Sequence, residues 1–367
     1  MAKYLFGDIV REIKEKVDRD NNPYDYFIAG DHMDTDELHL LRRGLFEGSD
    51  VGPAFIRVFK PGQVLYGSRR TYLRKVAVAD FEGVTANTTF VLESKDESIL
   101  LQSLLPFIMQ SDRFVQHSIK RSKGSTNPYV LFSDLADYEV DLPDIHEQKR
   151  LSEVLWAIDS VKMSYKRLIS ATDDLVKSQF IEMFSGCKMV RLGDYITQIR
   201  GVSYKPDDLS LTLDEEHISL LRANNIAHGG LDFSDLQYVS RNKVSTQQIL
   251  LKDDILMCGS SGSIEHVGKA AIFNGNGEYT FGAFCKLIRA NGKLKPQYIS
   301  AFMNTKEYRE KIKELVCGTN INNLRNEHID DLLIPCPDAD SQDAFIEFVR
   351  QSDKSKLLLG KTLDFSS

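Results

Sequence analysis

The sequence has few cysteines, and none of them form a Cys-x-x-Cys pair. Its five cysteines are Cys187, Cys258, Cys285, Cys317 and Cys336. An odd number of widely spaced cysteines is not typical of a disulfide framework or of a zinc ribbon. We therefore expect reduced thiols, no bound metal, and a cytoplasmic protein.

Long apolar runs are also missing. No stretch approaches the roughly 20 apolar residues that a membrane-spanning helix needs, and residues 1–7 lack the apolar core of a signal peptide. We therefore expect no membrane partner.

An excess of positive charge is absent as well. The 46 Lys and Arg residues are outnumbered by 53 Asp and Glu residues, which gives a net charge of −7. This balance argues against wholesale electrostatic attraction to nucleic acid, but it allows local basic faces. The 367 residues are 42% hydrophobic, which excludes bulk disorder and leaves room for two or three domains.

Familiar catalytic motifs are not found. His146 and Glu147 begin no His-Glu-x-x-His zinc motif, because Arg150 stands where the second histidine is needed. The loop 259–263 is not a phosphate-binding P-loop, since no Gly-Lys-Ser/Thr follows it. The sequence Asn-Pro-Tyr at 127–129 lacks the second proline of an adenine-binding Asn-Pro-Pro-Tyr, and a turn is favoured there. We predict no catalytic site and no cofactor.

The dominant positive feature is a stretch from Asp144 to about Phe184 without proline or glycine. Asp144 is a candidate helix cap, and Glu147 completes the pattern of a capping box. About 40 residues at 1.5 Å each predict a helix of roughly 60 Å. Its apolar residues follow the spacing of a coiled coil; they are Leu151, Val154, Leu155, Ile158, Val161, Leu168 and Leu175. A long helix buried within one large domain is the alternative.

The chain also contains an internal repeat. Gly7 lies in Leu-Phe-Gly-Asp, and Gly193 lies in a matching Leu-Gly-Asp of the second half. Farther on, the two halves keep a constant register, as in Gln148 and Gln342, and Phe345, Phe348 and Val349 continue the stripe of the first helix in a second one. An ordered set of such matches predicts two copies of one domain.

The predicted fold class is therefore mixed α/β, with two repeated domains separated by long helices. We place the first domain at 1–143, the long helix at 144–185, the second domain at 186–338 and a shorter terminal helix at 339–367. In the first domain, strands are expected at 54–59, 64–67, 76–79 and 89–92. Helices are expected near 100–122 and 297–316, and the terminal helix is expected at 341 to about 359.

Candidate binding residues cluster in two loops of each repeat. In the first repeat they are mostly basic, and in the second they are small and polar. Arginine and asparagine can read base edges, whereas serine, threonine and lysine suit phosphates. The first-repeat candidates are Ser68, Arg69, Arg70, Tyr72, Lys120, Arg121, Lys123, Thr126 and Asn127. The second-repeat candidates are Ser260, Ser261, Ser263, Thr319, Asn320 and Asn322.

In this arrangement the chain resembles the specificity subunits of type I restriction–modification systems. The resemblance covers nearly the whole chain and rests on the order of its motifs. They are Leu5-Phe6-Gly7-Asp8, Leu192-Gly193-Asp194, Gly268-Lys269-Ala270, and the segments 143–148 and 335–342.

The resemblance implies a non-catalytic reader of double-stranded DNA. Each repeat would be a target-recognition domain for one half of a bipartite site, with the candidate loops facing DNA. The two helices would form an antiparallel coiled coil that fixes the spacer and docks two methylation subunits, which use S-adenosylmethionine; restriction subunits could join. The short terminal helix departs from this pattern. A protein–protein scaffold and a stand-alone DNA-modifying enzyme are the alternative functions.

Overall fold

The computed structural model describes residues 2–227, 230–316 and 322–364. The chain forms two compact units, unit 1 (Met1–Lys162) and unit 2 (Met163–Ser367). The dividing point falls inside the longest helix rather than at either of its ends. The division at 143, 185 and 338 stays a prediction.

The first and last strands of unit 1 pair with each other. Its strands are β1 (Ala2–Leu5), β2 (Val10–Ile13), β3 (Tyr26–Ile28), β4 (Gly44–Leu45), β5 (Phe55–Phe59), β6 (Val64–Gly67), β7 (Val76–Val78), β8 (Gly83–Ala86), β9 (Thr89–Ser94) and β10 (Glu139–Leu142). Its helices are α1 (Phe6–Ile9), α2 (Leu105–Gln110), α3 (Asp112–Arg121), α4 (Phe132–Ala136) and the first part of α5 (Ile145–Phe184).

The strands of unit 1 form two four-stranded sheets and the β1–β10 ribbon. One sheet has the antiparallel order β2-β9-β6-β7, and the other has the order β4-β3-β8-β5 with β3 and β8 parallel. Apolar side chains of β6 and β9 are buried on both faces, so this sheet is the centre of the unit. Helices α2 and α3 cover it around Met109 and Phe114, which are fully buried.

Unit 2 repeats this plan with more irregular insertions. Its strands are β11 (Met189–Arg191), β12 (Ile196–Arg200), β13 (Leu209–Ser210), β14 (His217–Leu221), β15 (Ile226–Ala227), β16 (Gly230–Leu231), β17 (Gln237–Ser240), β18 (Ile255–Cys258), β19 (Ser260–Ser261), β20 (Ala270–Ile272), β21 (Tyr279–Phe281), β22 (Cys285–Ala290), β23 (Asn322–Asn323) and β24 (Leu333–Pro335). Its helices are α6 (Pro296–Phe302), α7 (Lys306–Val316), α8 (Asn326–Asp330) and α9 (Ala339–Asp364).

The sheet order shows that the two units are the same fold. The order β12-β22-β18-β20 in unit 2 matches β2-β9-β6-β7 in unit 1, and the parallel pair β14–β21 matches β3–β8. The ribbon β11–β24 matches β1–β10. The mixed α/β prediction with two repeated domains is thus confirmed.

The helices differ from their predicted bounds in three places. The segment expected as one helix near 100–122 is two helices, because Ser111 adopts an extended conformation between α2 and α3 and caps the second helix. In unit 2 the corresponding break separates α6 from α7. The terminal helix α9 is longer than expected and ends at Asp364. Within the described residues, no helix is long and apolar enough to cross a membrane.

Each long helix starts at an aspartate cap. Asp144 accepts hydrogen bonds from the backbone amides of His146 and Glu147 at 3.0 and 3.1 Å. These hydrogen bonds, first that from Glu147, hold the pKa of Asp144 below its usual value. Glu147 pairs with Arg150 at 2.9 Å. Asp338 caps α9 in the same way, through the amide of Ser341 at 2.7 Å.

One turn into each long helix, a buried glutamine ties the helix to its own unit. Gln148 accepts from the amide of Leu101 at 3.1 Å and donates to the carbonyls of Ile99 at 2.8 Å and Pro143 at 3.0 Å. Gln342 makes the same three bonds at the corresponding place of unit 2, to Lys293, Lys295 and Pro337. Both glutamines are 1% exposed.

Glycine is required where each unit begins. A Cβ on Gly7 would lie 2.6 Å from the Cβ of Ala136 in α4, and one on Gly193 would lie 2.6 Å from the Cβ of Asp330 in α8. Such distances are far below van der Waals contact. The Gly-Asp signature of the repeat is therefore a steric consequence of the chain start crossing the short helix.

The apolar stripe of α5 lies on a different face from the one that packs. Six of the predicted packing residues are 39–53% exposed: Leu151, Val154, Ile158, Val161, Leu168 and Leu175. Leu155 packs against the core of unit 1, and in α9 Phe345 is fully buried with Phe348 and Val349 beside it.

In unit 2, α9 runs antiparallel to the second part of α5. Phe345 packs against Phe180 and Phe184, with ring centroids 5.4 and 5.5 Å apart. Three turns farther along α9, the ammonium of Lys356 pairs with Asp173 at 2.7 Å. The two helices therefore share a seam that contains aromatic residues at one end and an ion pair at the other.

Candidate nucleic-acid interface

In unit 1, the two predicted loops are joined by backbone hydrogen bonds. The amide of Arg70 donates to the carbonyl of Pro128 at 2.7 Å, and the amide of Val130 donates to the carbonyl of Ser68 at 2.9 Å. Arg69 and Tyr129 form an antiparallel bridge. The residues that follow β6 and those that follow α3 therefore form one continuous surface, loop surface 1 (residues 68–72 and 120–129).

The base of loop surface 1 is stabilised locally. Lys123 and Tyr129 exchange two backbone bonds of 2.8 and 2.9 Å, which closes the turn through Gly124. Gly124 has φ +88°, a conformation that a side chain disfavours. The backbone of Arg70 is also in the left-handed conformation, with φ 51°. Its Nε donates to the side-chain amide oxygen of Asn127 at 3.2 Å.

The positive charge of loop surface 1 is partly compensated. Arg121 pairs with Asp137, and Lys123 pairs with Asp134 at 2.7 Å. Burial acts to raise the pKa of Asp134, but the hydrogen bonds from Lys123 and Leu131 and the nearby positive charges lower it overall.

Three other cations of this surface have no acidic partner among the described residues. Arg69, Arg70 and Lys120 are exposed and form no ion pair within the part of the chain that the structure describes. They remain available for phosphates or base edges.

Not every candidate in unit 1 presents its side chain. Ser68 is 5% exposed, and its hydroxyl donates to the carbonyl of Thr88 at 2.6 Å, so it shapes the loop. Tyr72 is 53% exposed and Thr126 is exposed. Tyr129, which the sequence assigned to a turn, is 41% exposed between the basic residues and is an additional candidate for stacking on a base.

Unit 2 joins its corresponding loops in the same register. Strands β19 and β23 pair with Ser260 opposite Asn323 and Ser261 opposite Asn322. By the register of the repeat, Arg69 corresponds to Ser260 and Tyr129 to Asn323, which is the bridge seen in unit 1. The bond from Leu324 to Gly259, 2.8 Å, corresponds to the bond from Val130 to Ser68. We call this region loop surface 2 (residues 260–263 and 322–323).

Loop surface 2 is polar rather than basic. Ser260 and Ser261 are half-buried, Ser263 is exposed, and the amide of Ser263 is bonded to the hydroxyl of Ser261 at 3.2 Å. The backbone of Asn322 is in β23. Thr319 and Asn320 lie outside the described residues.

An exposed phenylalanine adjoins loop surface 2 and was not a sequence candidate. Phe284 is 70% exposed, and its carbonyl accepts from the amides of Gly259 and Ser260 at 2.8 and 3.0 Å. A large apolar side chain at that exposure is suited to contact a thymine methyl or a base face. The only sequence signal would have been its place in the Gly-Ala-Phe turn between β21 and β22.

A family comparison bears directly on unit 1. Residues 11–170 match the family described as the type I restriction modification DNA specificity domain. The type I restriction enzyme StySPI specificity subunit of Salmonella potsdam is 37% identical over 167 residues, 44% of this chain and 36% of that protein. The EcoKI specificity subunit of Escherichia coli strain K12 is 39% identical over 141 residues, 38% of this chain and 30% of that protein. These matches thus span about a third of the length of either relative.

Solved structures extend the likeness to the whole fold. A chain from a structure on the assembly of a type I R-M system covers 100% of this chain and 94% of its own length, with 15% identity and a TM-score of 0.52. The match to the S subunit of a type I restriction–modification system from M. genitalium covers 100% of this chain and 92% of that one, with 13% identity and a TM-score of 0.51. At these identities the likeness establishes the fold.

Proposed function

We propose that the chain is the DNA-reading subunit of a type I restriction–modification complex, because residues 11–170 match the family described as the type I restriction modification DNA specificity domain. Each unit reads one half of a bipartite site in double-stranded DNA, and the chain itself catalyses no reaction. The observation that carries the proposal is the identical pairing of two loops at corresponding positions of both units.

Loop surface 1 supplies the electrostatic part of recognition. Its cations Arg69, Arg70 and Lys120 form no ion pair with any described residue, and they belong to the same loop surface as exposed Tyr72 and Tyr129. Arginine can bind guanine through two parallel hydrogen bonds, and aromatic or apolar groups contact thymine methyls. Loop surface 2 offers hydroxyls, an asparagine backbone and Phe284. The two halves of the site are therefore read with different chemistry.

The exposed apolar residues of α5 in unit 1 are the proposed docking face for methylation subunits. Leu151, Val154, Ile158 and Val161 are 39–53% exposed. A single exposed leucine needs no explanation, but a row along one helix marks an interaction surface. Docking of two such subunits, with S-adenosylmethionine bound to them, and of restriction subunits follows from the same proposal.

The test uses the complex of this chain with its methylation subunit and a duplex that carries its split site. The double substitution R69A/R70A is expected to relax specificity in one half-site, since each lost base contact costs about 1–3 kcal/mol. The slope of log affinity against log salt concentration should also become shallower by roughly one for each phosphate contact removed. Arg113 is the matched control, because it is a unit 1 arginine that is 86% exposed outside loop surface 1.

Fluorescence anisotropy with single-base variants of the site measures both effects. If R69A/R70A relaxed both half-sites equally, or if R113A had the same effect, loop surface 1 would not be the reader of one half.

A further inference from the structure

Unit 1 brings together three side chains of metal-ligating types, Glu37, His39 and Asp159, none of which belongs to either loop surface. One ligand atom from each of the three side chains lies within 4.8 Å of the other two. The Nε2 atom of His39 is 2.6 Å from Oδ2 of Asp159. No sequence motif pointed to this cluster, since 120 residues separate the histidine from Asp159.

Glu37 and His39 are close together in the sequence, and backbone pairing with β7 holds the segment that carries them. His39 forms a parallel bridge with Val78 at the edge of β7, and the amide of Val78 donates to the carbonyl of Leu38 at 2.8 Å. In an extended segment, residues two apart project to the same side. Glu37 and His39 therefore share one side of the segment, and α5 supplies Asp159 opposite them.

The burial of the carboxylates is the second observation. Glu37 is 3% exposed, and the side chain of Asp159 is 13% exposed. The carboxylate of Glu37 also accepts a hydrogen bond from the backbone amide of His39 at 3.2 Å. Deprotonated carboxylates and a neutral imidazole are the forms in which these side chains bind a divalent cation. The His39 side chain is 41% exposed and gives such an ion a path from solvent.

At the corresponding helix position of unit 2, the aspartate has a different partner. Asp353, which matches Asp159 in the register of the repeat, pairs with Lys356 at 2.7 Å. There a lysine supplies the positive charge. In unit 1, the described contact of Asp159 is with His39, whose imidazole is a side chain of a type that binds metals.

We propose that Glu37, His39 and Asp159 bind one divalent first-row transition metal ion of the zinc class. Imidazole suits Zn²⁺, Co²⁺ and Ni²⁺ better than Mg²⁺ or Ca²⁺. Zinc bonds of about 2.0–2.2 Å place ligand atoms roughly 3.3 Å apart, which small rotations of these side chains reach. The ion fastens the 37–39 segment to α5. This proposal does not rest on the DNA-reading function.

The chain provides its own reporter for the test. Trp156 is the single tryptophan of the sequence, and its ring centroid lies 6.2 Å from that of His39. Its indole nitrogen is fixed by a 2.9 Å hydrogen bond to the carbonyl of Ser103. Paramagnetic Co²⁺ at the site will quench its fluorescence, and a four-coordinate cobalt site will also show visible d–d absorption.

The experiment titrates the purified full chain with Co²⁺ and then displaces it with Zn²⁺. We expect saturable quenching at one equivalent, reversed by Zn²⁺, and an affinity lower by at least about tenfold in H39A and in E37Q. H217A is the matched control, because His217 forms a 2.6 Å pair with Asp214 but belongs to no three-ligand group within the described residues.

Three results would overturn the proposal. They are no saturable quenching up to about 1 mM metal, an unchanged affinity in both H39A and E37Q, or an equal loss in H217A. Circular dichroism of each variant separates loss of the site from loss of the fold. If H39A fails to fold, E37Q and D159N decide the matter by the same titration.

Discussion

The paired glutamines at the start of the long helices give a quantitative prediction about stability. Gln148→Ala removes three hydrogen bonds, and it leaves the amide of Leu101 and the carbonyl of Ile99 without those partners at a site that is 1% exposed. A hydrogen bond contributes about 1 kcal/mol net, and a buried group left unpaired costs about 1–3 kcal/mol. Because the three bonds share one side chain, we expect the free energy of unfolding to fall by about 2–4 kcal/mol.

The assay is urea unfolding followed by the fluorescence of Trp156, which lies two turns after Gln148 in the same helix. Gln342→Ala is expected to lower the free energy of unfolding by a similar amount, because its three bonds repeat those of Gln148. Circular dichroism measures this change. Gln351→Ala is the control, since Gln351 is exposed and its side-chain amide donates to the carboxylate of Glu347 in the same helix at 3.1 Å. If Gln148→Ala shifted the urea midpoint no more than Gln351→Ala, the hydrogen bonds of the buried glutamine would not stabilise the start of the helix.

Three further predictions follow from the geometry. G7A and G193A should each destabilise the chain by about 1–3 kcal/mol, since the added methyl group meets a backbone-anchored atom at 2.6 Å; differential scanning calorimetry measures this, and unchanged melting would contradict it. The lowered pKa of Asp338 means that its cap stabilises the helix at neutral pH and loses this effect as the pH falls through that pKa. D338N should therefore flatten the acid dependence of the urea midpoint, and an unaltered profile would refute the assignment. V154D/I158D should abolish co-purification with the methylation subunit without lowering the urea midpoint, because both side chains are about half exposed.

The repeat made much of the architecture predictable. Once its register was known, matching residues such as Gln148 and Gln342 had to occupy matching places, and the structure gives them identical hydrogen bonds. The same reasoning predicted two loops in each unit. That these loops pair with each other was not predictable, because the pairing of Ser260 with Asn323 joins two segments that lie far apart in the sequence.

The buried face of α5 could not be chosen from periodicity alone. Val154, Ile158 and Val161 have the spacing of a packed seam, yet they are exposed, whereas Met163 and Phe180 are buried. Apolar residues lie on both faces, so the choice is made by packing. In unit 2, Phe180 meets Phe345 of α9 and Tyr298 of α6, and these aromatic contacts fix that part of the helix.

Mapping of methylated adenines tests whether the two units read two half-sites. The chain is co-expressed with the proposed methylation subunit in a host without other DNA methylation, and the genome is sequenced for modified bases. We predict one split motif with a fixed gap, and an exchange of residues 1–143 should change one half only. A continuous motif, or no methylation by a well-folded complex, would contradict the proposal that two units read two half-sites.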